Sequence, residues 1–448
     1  MSRKLLNNLL FPLVEALRGT SIRECLKFLN KTQWWKREQI EELQNKKLRL
    51  LINHAYNNVP YYHDLFKKLN LRPEDIRTRE DLSKLPFLTK DIIRKNLEKL
   101  LAVNIDKSKM IELHSSGTTG EPMKFYIDKR SYSYGWAQTF RSWSWAGFSL
   151  GDRYVKLDID VKKNVTKRFE YYLMNCLYFG ASDLEESKGE KILREIKKFN
   201  PKIIRGYTSM VYLLSKYIEF FGIDGIRPNA VSTTGEKLFP HYRESIEKNF
   251  NCKVLDSYGG EATPLAFQCG ASDKYHVCEE TAILEIVRDN SPASPGELGE
   301  IVFTNLENYA MPFIRYKIGD VGIPAEDYCE CGRTLACIET IEGRVGDIVI
   351  MPNGTFLVPN FFTSLFKDFE GVVKFQVIQK DLYNIIIKIV KDDRLNMEYL
   401  NNAIKKIKDL GGGELNVDVE FTDSIPPAKS GKYRFVISKV PIDLLWER

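Results

Sequence analysis

The stretch Ser115-Ser116-Gly117-Thr118-Thr119-Gly120-Glu121-Pro122-Met123-Lys124 gathers hydroxyls, glycines and a lysine into one short segment. Glycines let successive backbone N–H groups turn toward one point, and hydroxyls add donors there. That chemistry suits a polyphosphate, although the same residue types also make an ordinary polar turn. Ser108–His114 before the loop and Lys124–Asp128 after it both read as strands, so the loop is expected in a hairpin. A Walker-type phosphate loop would enter a helix and end in Gly-Lys-Ser/Thr, which this one does not.

A second set of candidates lies at strand tips. Glu190–Phe199, Ser209–Phe221 and His241–Phe250 have helical patterning, and Asn200-Pro201 ends the first. Between and after them, Lys202–Tyr207, Asn229–Thr234 and Cys252–Ser257 read as strands. The alternation predicts parallel βαβ units. Each strand ends in a polar or glycine-bearing tip: Gly206-Tyr207-Thr208-Ser209, Thr234-Gly235-Glu236 and Tyr258-Gly259-Gly260-Glu261. Ligands of open parallel sheets bind beyond the carboxyl ends of the strands, so the three tips should converge on one crevice. Glu261 offers hard oxygen ligands suited to Mg²⁺. The aromatic run from Tyr132 to Phe148 reads as a helix whose rings are mainly core. Trp136 and Phe140 from it could wall a substrate pocket with Tyr207, Gly259 and Gly260, and the aromatic content favours an apolar or aromatic guest.

A third set could bind metal. Cys269 with His276, and Cys329 with Cys331, would bring four ligands from two loops. Thiolate and imidazole suit tetrahedral zinc, and a closed four-ligand site would be structural. The alternative is buried free thiols. Cys278 and Cys337 stand close in sequence, whereas Cys25, Cys176 and Cys252 look isolated.

The frame around these residues is that of a globular protein. A chain of 448 residues calls for two or more domains. The hydrophobic fraction of 43%, the charged fraction of 28% and a net charge of +6 do not make the basic stripe of a nucleic-acid binder. No apolar run is long enough to span a membrane. Asn7, Asn8 and Pro12 interrupt the basic, leucine-bearing start, which reads as a short amphipathic helix packed on the body. Clustered thiols without a signal peptide point to the cytoplasm. Residues 1–110 read as mostly helical, notably Ile40–Ala55. Ala282–Val287 and Gly299–Thr304 read as strands, Arg315–Asp320 as a compact loop, and Gly343–Asp347 as a hinge with two glycines among charges. Beyond it a helix (Phe361–Phe369), strands (Val372–Gln379, Tyr383–Val390), a helix (Met397–Leu410) and a strand (Leu415–Phe421) form a small α+β unit of about a hundred residues. The expected division is 1–342, a hinge at 343–347, and 348–448.

Five motifs stand in order: Ser115–Pro122, Tyr258–Glu261, Arg315–Asp320, Gly343–Asp347 and Ser430-Gly431-Lys432. Together they resemble the adenylate-forming superfamily of acyl-CoA synthetases, in the branch of phenylacetate–CoA ligases and capsular-polysaccharide biosynthesis proteins. The resemblance implies an α/β fold: a large N-terminal domain with parallel βαβ sheets and a small, mobile α+β C-terminal lid. It implies that a carboxylate attacks the α-phosphorus of ATP, releasing pyrophosphate, and that coenzyme A then takes the acyl group. Transfer to an amine or a carrier protein, or a non-catalytic nucleotide- or zinc-binding module, are the alternatives.

The resemblance also assigns roles. Ser115, Ser116, Gly117, Thr118, Thr119 and Gly120, with Lys124, would hold phosphates. Asp320 would accept the ribose hydroxyls, and Tyr258 would face adenine. Asp256 and Ser257 would lie near the exocyclic amine, and Gly235, Glu236 and Gly259 would complete the nucleotide edge. Arg344 would contact ribose or phosphate, and Asp347 would be the pivot of the lid. Glu261 would hold Mg²⁺. Lys432 would stabilise the charge that develops on the pentavalent phosphorus and its leaving group.

Overall fold

The computed structural model describes residues 6–115, 123–158, 169, 171–261, 263–366, 369–426, 433–441 and 444. The first hundred residues are helical, as expected, with helices at Phe11–Arg18, Ile22–Thr32, Arg37–Asn58 and Pro60–Lys68. In Arg37–Asn58 the residues Ile40, Gln44, Lys47, Leu48, Leu51, Ile52 and Ala55 recur at helical spacing and are all buried. Pro60 opens the next helix in its first turn, where a missing N–H costs nothing. At the N-terminal end Leu6 and Phe11 are buried while Leu13 and Leu17 face solvent, the amphipathic packing read from the sequence. No helix among the described residues is long and apolar enough to cross a membrane.

Two short strands, β1 (Ile111–His114) and β2 (Lys124–Ile127), pair antiparallel with His114 opposite Lys124. The Ser/Thr/Gly loop therefore joins a hairpin. The strands that follow are β3 (Tyr154–Asp158), β4 (Cys176–Gly180), β5 (Ile203–Tyr207), β6 (Ala230–Thr234) and β7 (Lys253–Gly260). All are parallel to their neighbours, with helices Glu186–Phe199, Thr208–Phe221 and Pro240–Phe250 as crossovers. The chain then reverses into β8 (Thr263–Gln268), β9 (Tyr275–Val277), β10 (Ala282–Arg288), β11 (Ser291–Pro292), β12 (Gly299–Asn305), β13 (Tyr316–Pro324) and β14 (Cys337–Arg344), all antiparallel to their neighbours.

Both halves belong to one twelve-stranded mixed sheet in the order β11-β10-β12-β13-β14-β9-β8-β7-β6-β5-β3-β4. The sequence pattern showed the parallel half but not this fusion across β7 and β8. It also placed Arg315–Asp320 in a loop, whereas the structure puts all but Arg315 on β13. Tyr316, Ile318 and Asp320 are buried and alternate with Lys317 and Gly319, a period-two pattern that the glycine and the charges disguised.

The aromatic helix spans Lys129–Ser144, and its Asp128 cap accepts a hydrogen bond from the Ser131 N–H. Phe140 is only 2% exposed; its ring stacks on Phe148 at 6.0 Å and meets Trp143 edge-on at 5.5 Å. It is therefore core and does not wall a pocket. Trp136 is half-buried, 5.6 Å from Phe140 on one side and beneath the Arg205 guanidinium on the other. Buried polar pairs tie the N-terminal helices and this helix to the sheet. Arg141 and Glu280 are both fully buried at 2.5 Å, Lys47 pairs with Glu307, and Thr32 donates to Glu280 at 2.9 Å.

After β15 (Val349–Ile350) and β16 (Phe356–Leu357) comes the C-terminal unit: helix Pro359–Phe366, β17 (Val372–Asp381), β18 (Asn384–Lys391), helix Met397–Leu410, β19 (Asn416–Phe421) and β20 (Val436–Ser438). Its sheet runs β19-β18-β17-β20 over a core of its own that includes Phe362, Phe375, Val377, Ile387, Leu400 and Ile407. β20, absent from the sequence reading, is three residues long and pairs parallel with β17. Ile348, Ile350 and Val440 pack against Val321 of the large sheet and Leu298 just before β12.

Because Phe140 fills the core, Phe140→Ala should destabilise the protein by about 3–5 kcal/mol. The denaturant midpoint reports this; a shift near zero would return Phe140 to the pocket wall.

Candidate active site

A cleft of about 1070 Å³ opens between the strand tips and the C-terminal unit. Gly235, Glu236, Asp256, Ser257, Tyr258, Gly259, Gly260, Asp320, Arg344 and Asp347 all line it, so most of the expected constellation is assembled in one place.

Asp320 is its fixed point. Register places Asp320 of β13 opposite Arg344 of β14, and the Arg344 Nε lies 3.0 Å from Asp320 Oδ1. The Tyr258 hydroxyl at the end of β7 donates to Oδ2 at 2.9 Å. Arg344 also donates to the Ile318 carbonyl at 3.1 Å. A carboxylate held at both oxygens keeps further lone pairs for a ligand's hydroxyls. The Asp320 charge in turn holds the Arg344 guanidinium above its usual range.

Two other acids at the tips are engaged by the protein. Asp256 is buried and accepts from Thr233 Oγ1 at 2.6 Å and from the Tyr275 hydroxyl at 2.7 Å. Burial pushes its carboxyl up. Glu236 accepts from the Ser209 N–H at 2.8 Å and so caps the helix Thr208–Phe221. Gly235 has φ +75°, and a Cβ there would come within 2.6 Å of the Tyr207 ring. Tyr207 thus lies against the β6 tip behind the cleft surface. Gly260 lines the cleft, and a Cβ on it would meet the Phe303 ring at 2.7 Å, so this glycine also makes room for core packing.

Glu261 differs from these acids. It is 8% exposed, and its Oε1 accepts from the Tyr316 hydroxyl at 3.0 Å. Its Oε2 is buried with no partner among the described residues. Burial pushes this carboxyl up as well. A buried carboxylate oxygen without a donor, just past the β7 tip and behind the cleft wall, fits a hard cation such as Mg²⁺.

Sequence reasoning missed Lys90. Thr89 caps the helix Lys90–Asn96 by accepting from the Ile92 N–H, and Lys90 follows in the first turn. Its Nζ stands 3.7 Å from Glu261 Oε1 and lines the cleft. Burial, and then the neighbouring Arg344, pull its ammonium below the usual range. One signal was available: a lysine in the first turn opposes the helix dipole, where an acid is the rule. Lys237 was missed too; its Nζ joins the Glu342 carboxylate at 2.7 Å and the Glu342 carbonyl at 3.1 Å.

At the turn Val345–Asp347, Arg434 donates from Nε to Asp347 Oδ1 at 2.9 Å and from Nη2 to the Gly346 carbonyl at 3.0 Å. Phe435 meets Phe239 edge-on at 5.1 Å. Tyr433 and Arg434 line the cleft, and Lys432 precedes them in the chain. Lys432 itself lies outside the described residues, as do Ser116, Gly117, Thr118, Thr119 and Gly120. Ser115 closes the base of its loop: its N–H donates to the Met123 carbonyl at 2.8 Å, and its Oγ accepts from the Met123 N–H at 2.9 Å. Lys124 is not brought to the cleft, because its Nζ pairs with Glu112 across the hairpin at 2.8 Å.

The thiol and imidazole candidates do come together. One ligand atom from each of Cys269, His276, Cys329 and Cys331 lies within 4.8 Å of the others. Cys269 and Cys329 sulfurs are 3.6 Å apart, and Cys331 Sγ is 3.3 Å from His276 Nε2. A tetrahedral zinc with sulfur at its usual bond length needs sulfurs about 3.8 Å apart, so the cluster fits that ion. Burial pulls the His276 imidazole down to about 4, which leaves it neutral with a free lone pair at physiological pH. Cys337 stands behind the ring, 3.7 Å from Nδ1, and Cys278 lies instead by Arg141.

Comparison with known proteins agrees with this layout. Residues 349–439 match the CapK C-terminal domain family. Protein CapK of Staphylococcus aureus is 29% identical over 414 residues, covering 89% of each chain. A phenylacetate-coenzyme A ligase of Pseudomonas putida is 28% identical over 326 residues, covering 70% of this chain and 72% of its own. Among solved structures, 2-hydroxyisobutyryl-CoA ligase in its postadenylation state superposes with a TM-score of 0.72 at 16% identity over 91% of both chains. A large mixed sheet with a smaller C-terminal domain is the fold of these adenylate-forming ligases.

Glu261→Gln tests the strain at the centre of the site. Its folded carboxyl titrates above the unfolded one, so the cost of ionising it is absent below about pH 4 and grows as pH rises. The variant should therefore melt higher than the parent at neutral pH, with the gap closing in acid. Thermal melts across that range check it, and a parent that is the more stable at neutral pH would refute it.

Proposed function

We propose that this chain, a homologue of CapK and of the phenylacetate–CoA ligases, activates a carboxylic acid with ATP and transfers the acyl group to coenzyme A. The carrying observation is Asp320, buried in the cleft and held at both oxygens by Tyr258 and Arg344. An acid so fixed, and still able to accept, suits a ribose diol. Adenine would lie along Tyr258 and the Gly235-Glu236 tip, with the phosphates directed toward Glu261, Lys90 and the loop Ser115–Gly120. Glu261 would hold Mg²⁺ through its unpartnered Oε2, and the ion when bound would neutralise phosphate charge.

In the first step a carboxylate oxygen of the acid bonds to the α-phosphorus, and the bond to the bridging oxygen breaks to release pyrophosphate. Lys432 would stabilise the charge gathering on those oxygens. Lys90, half-buried at the start of its helix, would add a second fixed cation on the Glu261 side. In the second step the thiol sulfur attacks the acyl carbon, the thiol proton is lost to solvent, and AMP departs. The unit from residue 348 onward would act as the lid, turning about 343–347, with the Arg434–Asp347 pair latching the position seen here.

The cluster Cys269, His276, Cys329 and Cys331 would hold a structural zinc. All four positions of a tetrahedron are filled by protein, so no site is left for a reacting water.

Purified protein should release pyrophosphate from ATP only when a suitable carboxylic acid is present, and Lys432→Ala should abolish the release while the fold persists. Coenzyme A should then trap the acyl group; capture by an amine or a carrier protein instead would change the acceptor, and no release with any acid would overturn the ligase. Elemental analysis should find one zinc per chain, lost in a Cys329→Ser/Cys331→Ser double variant together with thermal stability. Metal-free protein of full stability would leave the four residues as free thiols.

A further inference from the structure

The aromatic residues of the sequence favoured an apolar acid, but the deep wall of the cleft carries a cation. Arg205 sits on β5 and lines the cleft with Thr139. Register aligns it with Lys156 of β3 and Ser232 of β6, on the sheet face that carries the helix Lys129–Ser144. Among the described residues the Asp158 carboxylate bears on Arg205 without a hydrogen bond to it, and Lys156 Nζ takes its Oδ2 at 2.6 Å with both side chains largely buried. Arg205 has no hydrogen-bond acceptor among the described residues, and its Nε is shut off from water without a partner. Its guanidinium stands 6.0 Å over the Trp136 ring, a contact that orients the plane but does not satisfy its donors. Desolvation pulls its pKa below the usual range, although Asp158 acts against that.

A desolvated cation with idle donors is costly to keep in a folded protein. The cost is recovered when an anion arrives, and a planar guanidinium matches a carboxylate with two parallel hydrogen bonds. We infer that Arg205 receives a second carboxylate on the acid, so that the substrate is a dicarboxylic acid whose other carboxylate is the one adenylated. This rests on the ligase reading for the site itself and adds the substrate class. An aromatic or aliphatic spacer would lie between Gly259 at the reacting end and Trp136 at the other. An acid without the distal charge covers the Arg205 fork without pairing it, which is the basis for rejecting it.

The test compares length-matched pairs, glutarate with valerate and 4-carboxyphenylacetate with phenylacetate, on the full chain. Pyrophosphate release gives kcat/KM, and calorimetry without ATP gives binding. The wild type should favour at least one diacid over its monoacid partner by about tenfold or more. Arg205→Met should bring that ratio close to one, and Arg205→Lys, which keeps the charge but not the fork, should fall between. A wild type that prefers the monoacids, or an Arg205→Met variant that retains the ratio, overturns the inference while leaving the ligase standing. Diacid binding that Arg205→Met removes, without pyrophosphate release from any acid, supports the anion site and overturns the ligase instead. Should Arg205→Met fail to fold, the wild-type panel and Arg205→Lys decide the matter.

Discussion

The site depends on the clamp around Asp320. Its two oxygens are held from two directions, by a tyrosine at the end of the last parallel strand and by an arginine on an antiparallel strand. Tyr258 and Arg344 are far apart in sequence and come from halves of the sheet built on different rules. Only the fusion of those halves into one twelve-stranded sheet brings them to the same carboxylate. Asp320 is 7% exposed, so its charge would be costly without both partners. The arginine also belongs to the strand that leads directly into the hinge. Whatever occupies Asp320 therefore acts next to the segment that positions the C-terminal unit.

Around that clamp the cleft is a set of matched charges with deliberate gaps. Lys237 has Glu342, Arg434 has Asp347, and Arg344 has Asp320. Glu261 has only a loose partner in Lys90, at 3.7 Å, and one of its oxygens has none among the described residues. Arg205 has no acceptor there either. Fully paired groups rigidify a site; half-paired ones raise the energy of the empty state and lower the cost of accepting an ion of opposite sign. The two gaps are of opposite sign and lie at different parts of the cleft. A cation-bound phosphate and an anionic acyl end would fill one each.

Much of this could be read from residue types. The hairpin around the Ser/Thr/Gly loop, the three βα tips and the four zinc-ligand candidates all came from local patterns, and the structure assembles them. What could not be read was long-range pairing. Arg315–Asp320 looked like a loop because Gly319 and its charges masked a two-residue period that becomes visible only beside β12 and β14. β20 is too short to signal itself and exists because β17 offers an edge. Phe140 and Trp136 share one helix, and no sequence rule says which of two rings on neighbouring turns faces the core. Lys90 is a lysine among many until the fold brings it to Glu261. Gly260 lines the cleft and also gives clearance to Phe303, a packing reason that no local pattern shows.

At the proposed hinge the same physics would limit motion. Asp347 sits in a partly closed pocket where burial pushes its carboxyl up, and Arg434 pulls it back down. Arg434 belongs to the C-terminal unit, two residues past Lys432, while Asp347 belongs to the segment about which that unit would turn. Rotation would separate the pair and return Asp347 to water, so the loss of the ion pair would be offset by relief of its desolvation. Such a latch is close to neutral overall: the pair is specific in geometry but weak in net energy, as partly buried pairs generally are. A lid that must hold one position for adenylation and leave it for transfer needs that combination, because a strong latch would trap the adenylate and no latch would leave the position undefined. Phe435 meets Phe239 edge-on, a further contact beside the small apolar cluster of Ile348, Ile350 and Val440 with Leu298 and Val321. The C-terminal unit carries its own core, so it can move as a body without unfolding.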